Sequence, residues 1–179
     1  VTPYAVVDVV PEHMKAYSEK YGIEKQYTDY IEILETEEID IVSVCTRPKL
    51  HAPIVIEVAE QGVKGILSEK PMTENLGQAR AMLEVCSQHG VKLAIDHQTR
   101  FSGACVAAKQ MIADGLIGKL FRIYSICGGG DLKDNATHTV DIMRYFGGEI
   151  EAVQCFAMKA PGRQIWSTAQ FNMRFQNGS

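Results

Sequence analysis

The sequence lacks the patterns that mark membrane proteins and secreted proteins. No stretch approaches the roughly 18 apolar residues of a transmembrane helix, and residues 1–15 contain neither the basic nor the apolar segment of a secretory signal peptide. No basic block occurs either, since 18 Lys and Arg residues stand against 22 Asp and Glu residues for a formal net charge of −4. This balance argues against a basic surface for nucleic acid. We expect neither a membrane nor a nucleic acid as a partner.

The sequence is also poor in paired cysteines. Its five cysteines lie 41, 19, 22 and 28 residues apart, and no CxxC motif occurs. This spacing suggests neither a disulfide framework nor a zinc site. We therefore expect no bound metal and a reducing, cytoplasmic compartment, although an export signal upstream of Val1 is left open. A content of 46% hydrophobic and 22% charged residues is that of an ordinary globular protein.

Short apolar runs alternate with helical patterns in the first half of the chain. Predicted strands cover 5–8, 39–45, 63–67 and 91–95. Predicted helices run from Pro11 to Gly22, from a cap at Thr28 to Leu34, and over 50–61 and 74–89. Strands separated by helices of about ten to fifteen residues indicate βαβ units. We predict an α/β fold over residues 1–96, a Rossmann-type, doubly wound parallel sheet.

The pattern changes after Ile95. Helices are predicted over about 102–113 and 135–146, and strands over 119–127, 150–159 and 166–175. Residues 97–179 are therefore expected to form part of an α+β domain with an open, mainly antiparallel sheet. The pair Asn177-Gly178 is a strong hairpin signal, yet only Ser179 follows it. We expect the chain to be an internal fragment of a longer protein.

Four segments, read in order, carry a resemblance to one family. They are Val6-Val7-Asp8, Cys45-Thr46-Arg47-Pro48 with His51, Ser68-Glu69-Lys70-Pro71, and the stretch from Gly129 through Asp134-Asn135-Ala136-Thr137-His138 to Asp141. The sequence resembles the glucose–fructose oxidoreductase/inositol dehydrogenase (Gfo/Idh/MocA) family of NAD(P)-dependent oxidoreductases. The resemblance implies hydride transfer between NAD(P) and a secondary alcohol of a sugar, inositol or related polyol. It also implies a homodimer or homotetramer formed through the second-domain sheet.

The resemblance implies a cofactor site along the first domain. Asp8 ends a strand, where a carboxylate can accept hydrogen bonds from both hydroxyls of an adenosine ribose and would repel a 2′-phosphate, so we expect NAD rather than NADP. Capping of the following helix is the alternative for Asp8. The other cofactor-binding residues implied are Thr46, Arg47, Pro48, His51, Glu69, Lys70 and Arg100. For 46–48 a simple turn into the next helix is the alternative, and for Arg100 a bridge between domains.

Catalysis is expected from Lys70, Asp134 and His138. The resemblance places Lys70 in the active site, where an ammonium can donate to a substrate hydroxyl and favour alkoxide formation. His138 lies four residues after Asp134 and three before Asp141, so a helix presents all three on one face. His138 is the expected general base, with Asp134 and Asp141 contacting the substrate or orienting the ring. A metal site and an ion-paired helix face are the alternatives.

The sequence departs from the family pattern at two places. No GxGxxG motif occurs, so the Rossmann domain is expected to be incomplete, without its first strand and glycine-rich loop. Ala136 stands where the family has a glycine two residues before the active histidine. Two other functions seen among relatives stay open. They are an NAD-dependent glycoside hydrolase and a nucleotide-binding regulator without turnover.

Overall fold

The computed structural model describes residues 2–125, 132–159 and 166–176. The strands are β1 (Ala5–Val7), β2 (Lys25–Tyr27), β3 (Ile41–Val44), β4 (Gly65–Ser68), β5 (Lys92–Ile95), β6 (Ile150–Lys159) and β7 (Trp166–Phe175). The helices are α1 (Pro11–Tyr21), α2 (Tyr30–Thr36), α3 (Pro48–Glu60), α4 (Leu76–Gln88), α5 (Gly103–Ala113) and α6 (Leu132–Gly147), with a short 3-10 helix at Gln98–Phe101. The alternation of strands and helices up to β5 confirms the predicted α/β class.

The strands of the first half pair in parallel, as βαβ connections require. β1 pairs with β2, and β3, β4 and β5 form a three-stranded sheet in that order. In this sheet Ser68 at the end of β4 lies between Val44 of β3 and Ile95 of β5. The three strands therefore end at the same level, and the loops that follow them meet along one edge of the sheet.

Local sequence explains where the helices begin and end. Pro11 occupies the first turn of α1, where its missing N–H removes no helical hydrogen bond, and Gly22 ends the helix at φ +66°. α4 is capped by Asn75, whose side chain accepts a hydrogen bond from the backbone N–H of Gln78 at 3.0 Å. Both ends of α1 agree with the sequence prediction, whereas α4 begins two residues later than the predicted start at residue 74.

The core of the first half lies between the three-stranded sheet and the helices α3 and α4. α3 buries one face against β3 and β4 and the other against α4. The most deeply buried apolar side chains of this cluster are Val55, Val58, Ala59, Ile66 and Met82. Burial of each larger side chain among them is worth about 1.5–3 kcal/mol, so this cluster holds the sheet edge in place.

Two predictions of secondary structure were wrong, and one strand was missed. α2 is capped by Asp29 rather than Thr28, because the Asp29 carboxylate accepts from the N–H of Ile31 at 2.9 Å. β2 was not predicted, since its three residues are polar or amphipathic. Residues 119–125 of the strand expected at 119–127 are not in a strand, because no described strand pairs with them, and 126–127 lie outside the described residues.

The second half contains a helix beside a long hairpin. β6 and β7 pair antiparallel over nearly their whole length, from Ile150 with Phe175 to Lys159 with Trp166, which confirms the two predicted long strands. α6 packs on β7 where Gly147 meets the buried ring of Phe175. The expected turn at Asn177-Gly178 lies outside the described residues. Among the described residues, the helices are too short or too polar to cross a membrane.

Candidate functional site

Three loops lie side by side at the carboxyl ends of β3, β4 and β5. We call residues 45–47, 69–71 and 96–97 the carboxyl edge. The backbone N–H of Glu69 donates to the carbonyl of Val44 at 3.0 Å, and that of Asp96 donates to the carbonyl of Ser68 at 2.8 Å. These two bonds continue the strand ladder and fix the three loops against one another. In open α/β sheets this is the edge at which ligands bind.

Lys70 lies in the central loop of the carboxyl edge, two residues beyond the end of β4. Its backbone N–H donates to the carboxylate of Glu69 at 3.0 Å, and the Lys70–Pro71 peptide bond is cis. Both Glu69 and Lys70 are half-buried. Two of the sequence-predicted residues thus share one short segment, and the Glu69 carboxylate is engaged with the backbone of its neighbour.

His51 lies beneath this loop on the first turns of α3. Its side chain is 0% exposed, with Nδ1 2.9 Å from the carbonyl oxygen of Pro71 and Nε2 3.0 Å from that of Thr46. Both polar atoms of the ring are therefore directed at backbone carbonyls. This geometry favours a positioning role for His51 over the cofactor contact that the sequence predicted.

Thr46, Arg47 and Pro48 form the connection from β3 to α3. Thr46 and Arg47 are exposed, and Pro48 occupies the first turn of α3, which begins two residues earlier than predicted. An exposed turn that contains a cation at the carboxyl edge has the composition expected for contact with an anionic ligand. The same geometry also fits a turn into α3, so the cofactor role of these residues stays a prediction.

His138 of α6 meets the carboxyl edge at His97. The two imidazole rings pack edge to face, with centroids 5.7 Å apart and planes at 86°. The Nδ1 atoms of both rings are buried and have no hydrogen-bond partner among the described residues. Burial is the main cause that lowers the pKa of His97, and the charges of His138 and Arg100 lower it further against the opposite effect of Asp141 and Asp96.

Arg100 forms a two-pronged ion pair with Asp141. Its Nε and Nη2 atoms lie 2.6 and 2.5 Å from the two carboxylate oxygens, and the Asp141 side chain is only 8% exposed. The hydrogen bond to Asp141 raises the pKa of Arg100, so the guanidinium stays charged. The pair joins the 3-10 helix after β5 to α6. This is the bridge that the sequence left open as the alternative to cofactor binding, while substrate contact by Asp141 stays a prediction.

Asp8 is partly engaged at the start of α1. One carboxylate oxygen accepts from the backbone N–H of Val10 at 2.8 Å, and the other lies 3.4 Å from Nδ1 of His13. The residue is half-buried, so its carboxylate remains open to solvent on one side. The bond from Val10 lies before the helix and does not cap it, since the N-cap residue Val10 has no side-chain cap hydrogen bond. This bond and the predicted ribose contact are compatible, because a carboxylate accepts about four hydrogen bonds.

The catalytic residues expected on α6 are described to different extents. Asp134 falls within α6, one turn before His138, but its side chain lies outside the described part of the structure. Within the described ranges, no group of three or more His, Cys, Asp or Glu side chains is arranged to hold a metal ion. The side-chain contacts described in this region are those between two imidazoles and within one guanidinium–carboxylate pair.

The sequence did not assign His97 to the site. The sequence placed it with Arg100 at the domain junction, where both could line the cleft, but gave it no role, although it follows β5 by two residues, as Lys70 follows β4. Position after a parallel strand was the signal that could have identified it. The contact between His97 and His138, 41 residues apart in sequence, has no local signature.

Comparison with known proteins identifies the chain. The family described as "Oxidoreductase family, NAD-binding Rossmann fold" matches residues 2–97, and the Gfo/Idh/MocA C-terminal domain matches residues 122–179. Myo-inositol 2-dehydrogenase of Thermotoga maritima is 32% identical over 167 residues, 86% of this chain and 49% of that protein. The scyllo-inositol 2-dehydrogenase (NAD(+)) of Bacillus subtilis is 32% identical over 162 residues, 83% of this chain and 47% of that protein.

A solved structure shows the same fold. An oxidoreductase from Agrobacterium radiobacter, in complex with NAD+, L-tartaric acid and magnesium, superposes with a TM-score of 0.86 at 23% identity, over 98% of this chain and 56% of that one. The chain spans about half the length of the relatives it matches. The resemblance inferred from the motifs is confirmed. The chain belongs to the Gfo/Idh/MocA family of oxidoreductases, which have an NAD-binding Rossmann fold.

Proposed function

We propose that the protein oxidises a secondary alcohol of an inositol, a sugar or a related polyol by hydride transfer to NAD. The observation that supports this most directly is the contact between His138 and His97. His97 follows Asp96, which is bonded to Ser68, and Lys70 lies two residues beyond Ser68. The candidate base on α6 thus contacts the same carboxyl edge that carries the candidate cation, Lys70.

The chemistry assigned to these residues follows from their types. Oxidation of an alcohol requires removal of the hydroxyl proton, and a neutral imidazole accepts a proton near neutral pH, so His138 is the proposed general base. The ammonium of Lys70 stabilises negative charge on the substrate oxygen as that proton leaves. Asp134 and Asp141 hydrogen-bond the substrate or orient His138. His138 then releases the proton to solvent.

The residues present fit parts of a dinucleotide. Asp8 would hold the adenosine ribose, and the exposed turn with Thr46 and Arg47 would lie along the cofactor, with Pro48 shaping that turn. Lys70 would reach the nicotinamide ribose. When bound, NAD supplies the hydride acceptor. The sequence contains no GxGxxG, so we assign no pyrophosphate-binding residues, and the negative charge of Asp8 favours NAD over NADP.

The test uses the full-length gene product and a panel of inositols, sugars and polyols, with NADH absorbance as the readout. The inositol dehydrogenases among the relatives make myo- and scyllo-inositol the first substrates to try. Lys70→Ala and His138→Ala are each expected to reduce kcat by about 100-fold or more, since general acid–base catalysis contributes about 10²–10⁴-fold. His89→Ala, at an exposed helix end, is the matched control.

Two outcomes would overturn this proposal. Release of a sugar from a glycoside without accumulation of NADH would identify a glycoside hydrolase. Binding of NAD without turnover on any member of the panel would identify a nucleotide-binding regulator. Activity that survives both the Lys70 and the His138 substitution would show that the site lies elsewhere.

We further propose the assembly and location of the protein. Residues 1–96 would form the cofactor domain and 97–179 the substrate domain, whose hairpin exposes Val153 and Phe156 as a surface for a homodimer or homotetramer. Sedimentation analysis of wild type and Phe156→Glu tests this, with dissociation of the variant as the expected result.

The cysteines described by the structure, Cys45, Cys86, Cys105 and Cys155, are all free, which supports a cytoplasmic location testable by cell fractionation.

A further inference from the structure

His51 is a fully buried polar side chain that the proposed chemistry does not use. It is the fourth residue of α3 and lies on the side of the helix that faces β3 and β4. Histidine is seldom excluded from solvent unless its ring nitrogens are hydrogen-bonded. Here each ring nitrogen faces a backbone carbonyl oxygen, and neither partner is a side chain.

The two carbonyls that His51 contacts belong to two different loops of the carboxyl edge. Nε2 lies 3.0 Å from the oxygen of Thr46, in the loop after β3, and Nδ1 lies 2.9 Å from the oxygen of Pro71, in the loop after β4. Pro71 directly follows Lys70. The rigid imidazole ring therefore lies between two loops. One is the turn at Thr46, proposed to contact the cofactor, and the other is the segment that carries Lys70, the proposed catalytic lysine.

An imidazole suits this position for a geometric reason. Its two nitrogens point outward from a rigid ring, so one side chain reaches acceptors in two directions at once. A ring nitrogen that carries a proton donates to the carbonyl it faces, so a neutral ring makes one of these two hydrogen bonds and a protonated ring makes both. A buried carbonyl without a donor is costly, so a ring protonated on both nitrogens holds the two loops through the same side chain.

We propose that His51 is a positioning residue that fixes the Lys70–Pro71 segment against the loop after β3, and so sets the position of Lys70 in the site. The effect of His51 on catalysis rests on the proposed function. Its effect on the position of the Lys70–Pro71 segment does not. Because both ring nitrogens are occupied by carbonyls, His51 acts through Lys70 and does not contact the cofactor itself.

Hydrogen–deuterium exchange of the full-length gene product tests the structural part without any assay of activity. His51→Leu fills similar space without a donor, and His51→Gln retains an amide donor that reaches one carbonyl. We expect exchange at the amides of Lys70, Met72 and Thr73 to rise about tenfold in the Leu variant and less in the Gln variant. The strands β6 and β7 and the control His89→Leu should exchange as the wild type does.

Kinetics test whether the effect passes through Lys70. We expect His51→Leu to lower kcat by about ten- to 100-fold, the range expected for a displacement of about 1 Å, with the KM for NAD changed less than about threefold. In a Lys70→Ala background the same substitution should add less than about threefold, because residues that act as a unit are not additive. His51→Gln should restore part of the lost kcat.

The outcomes separate this inference from the proposed function. Absence of turnover in the wild type would overturn the proposed function. Hydrogen–deuterium exchange at residues 69–73 would still test whether His51 holds the Lys70–Pro71 segment in place. Unchanged exchange in that segment would overturn the inference, as would a rise spread evenly over the whole protein, which marks general destabilisation. Full additivity with Lys70→Ala would show that His51 does not act through the lysine.

Discussion

His97 and His138 meet edge to face with ring centroids 5.7 Å apart, although one follows β5 and the other lies on α6. At this distance the charge of His138 disfavours a proton on His97, because like charges repel in a partly buried site. His97 is the ring whose pKa is lowered, chiefly by burial. The neutral form of His97 therefore places no charge against the His138 ring.

Acidification should destabilise the protein through His97. The folded pKa lies below the ordinary value of 6.5, so the unfolded chain binds the proton more readily than the folded one. Stability is then highest above pH 6.5 and falls as the pH drops through the folded pKa. We expect the midpoint of thermal unfolding to fall less on acidification for His97→Asn than for the wild type. An identical pH dependence in both would contradict this, and His89→Asn is the exposed control.

Cofactor preference should depend on Asp8. Replacement by serine removes the charge that repels a 2′-phosphate and keeps an acceptor for the N–H of Val10. We expect the ratio of kcat/KM for NADP to that for NAD to rise about tenfold, equivalent to ~1.4 kcal/mol. Glu12→Gln, on the exposed first turn of α1, is the matched charge control and should leave the ratio unchanged.

Glu37 should contribute stability that disappears in acid. Its carboxylate accepts hydrogen bonds from Lys25 at 2.6 Å, Tyr4 at 2.7 Å and Tyr27 at 2.8 Å. The bond from Lys25 is the largest cause that lowers the pKa of Glu37 from 4.5 to about 2. Since the folded pKa is lowered, this stability is present above pH 4.5 and is lost as the pH falls toward about 2.

The substitution that tests this removes the charge of Glu37 and keeps its shape. Glu37→Gln should lower the denaturant midpoint at neutral pH and should flatten the loss of stability between pH 4.5 and about 2. The neighbouring Glu38 is exposed, so Glu38→Gln is the control. Equal acid sensitivity of the wild type and Glu37→Gln would refute the assignment.

Gly147 should not tolerate a side chain. A Cβ atom added there would lie 2.8 Å from the Phe175 ring, whose own burial leaves it little room to move. We expect Gly147→Ala to cost about 1–3 kcal/mol of unfolding free energy, the usual cost of overpacking. At Gly103, in the first turn of α5, an added Cβ meets no atom within 4 Å, so Gly103→Ala should be close to neutral in the same thermal unfolding assay.

Sequence predicted best what is determined locally. Pro11 and Gly22 mark the ends of α1, and the β-branched run that includes Ile41 and Val44 forms β3, because these preferences act over a few residues. The strand expected at 119–127 carried the same kind of pattern. It is absent at 119–125 because a strand also needs a partner, and pairing is not encoded within the segment itself.

The candidate site was predicted in composition but not in contacts. Position after parallel strands identified Thr46 and Lys70 as edge residues. The bonds that His51 makes to Thr46 and Pro71, and the ion pair between Arg100 and Asp141, join residues that the fold alone brings together. Only a three-dimensional arrangement could show that these side chains contact protein groups rather than a ligand.

The ion pair of Asp141 and the ring contact of His138 fix the orientation of α6 about its own axis. The two residues are three apart, so each anchors nearly the same stripe of the helix, one turn from the other. A shift of register by one residue would turn that stripe by about 100° and break both contacts together. The two contacts therefore prevent α6 from rotating about its axis or shifting along it, and they hold the His138 ring in one orientation.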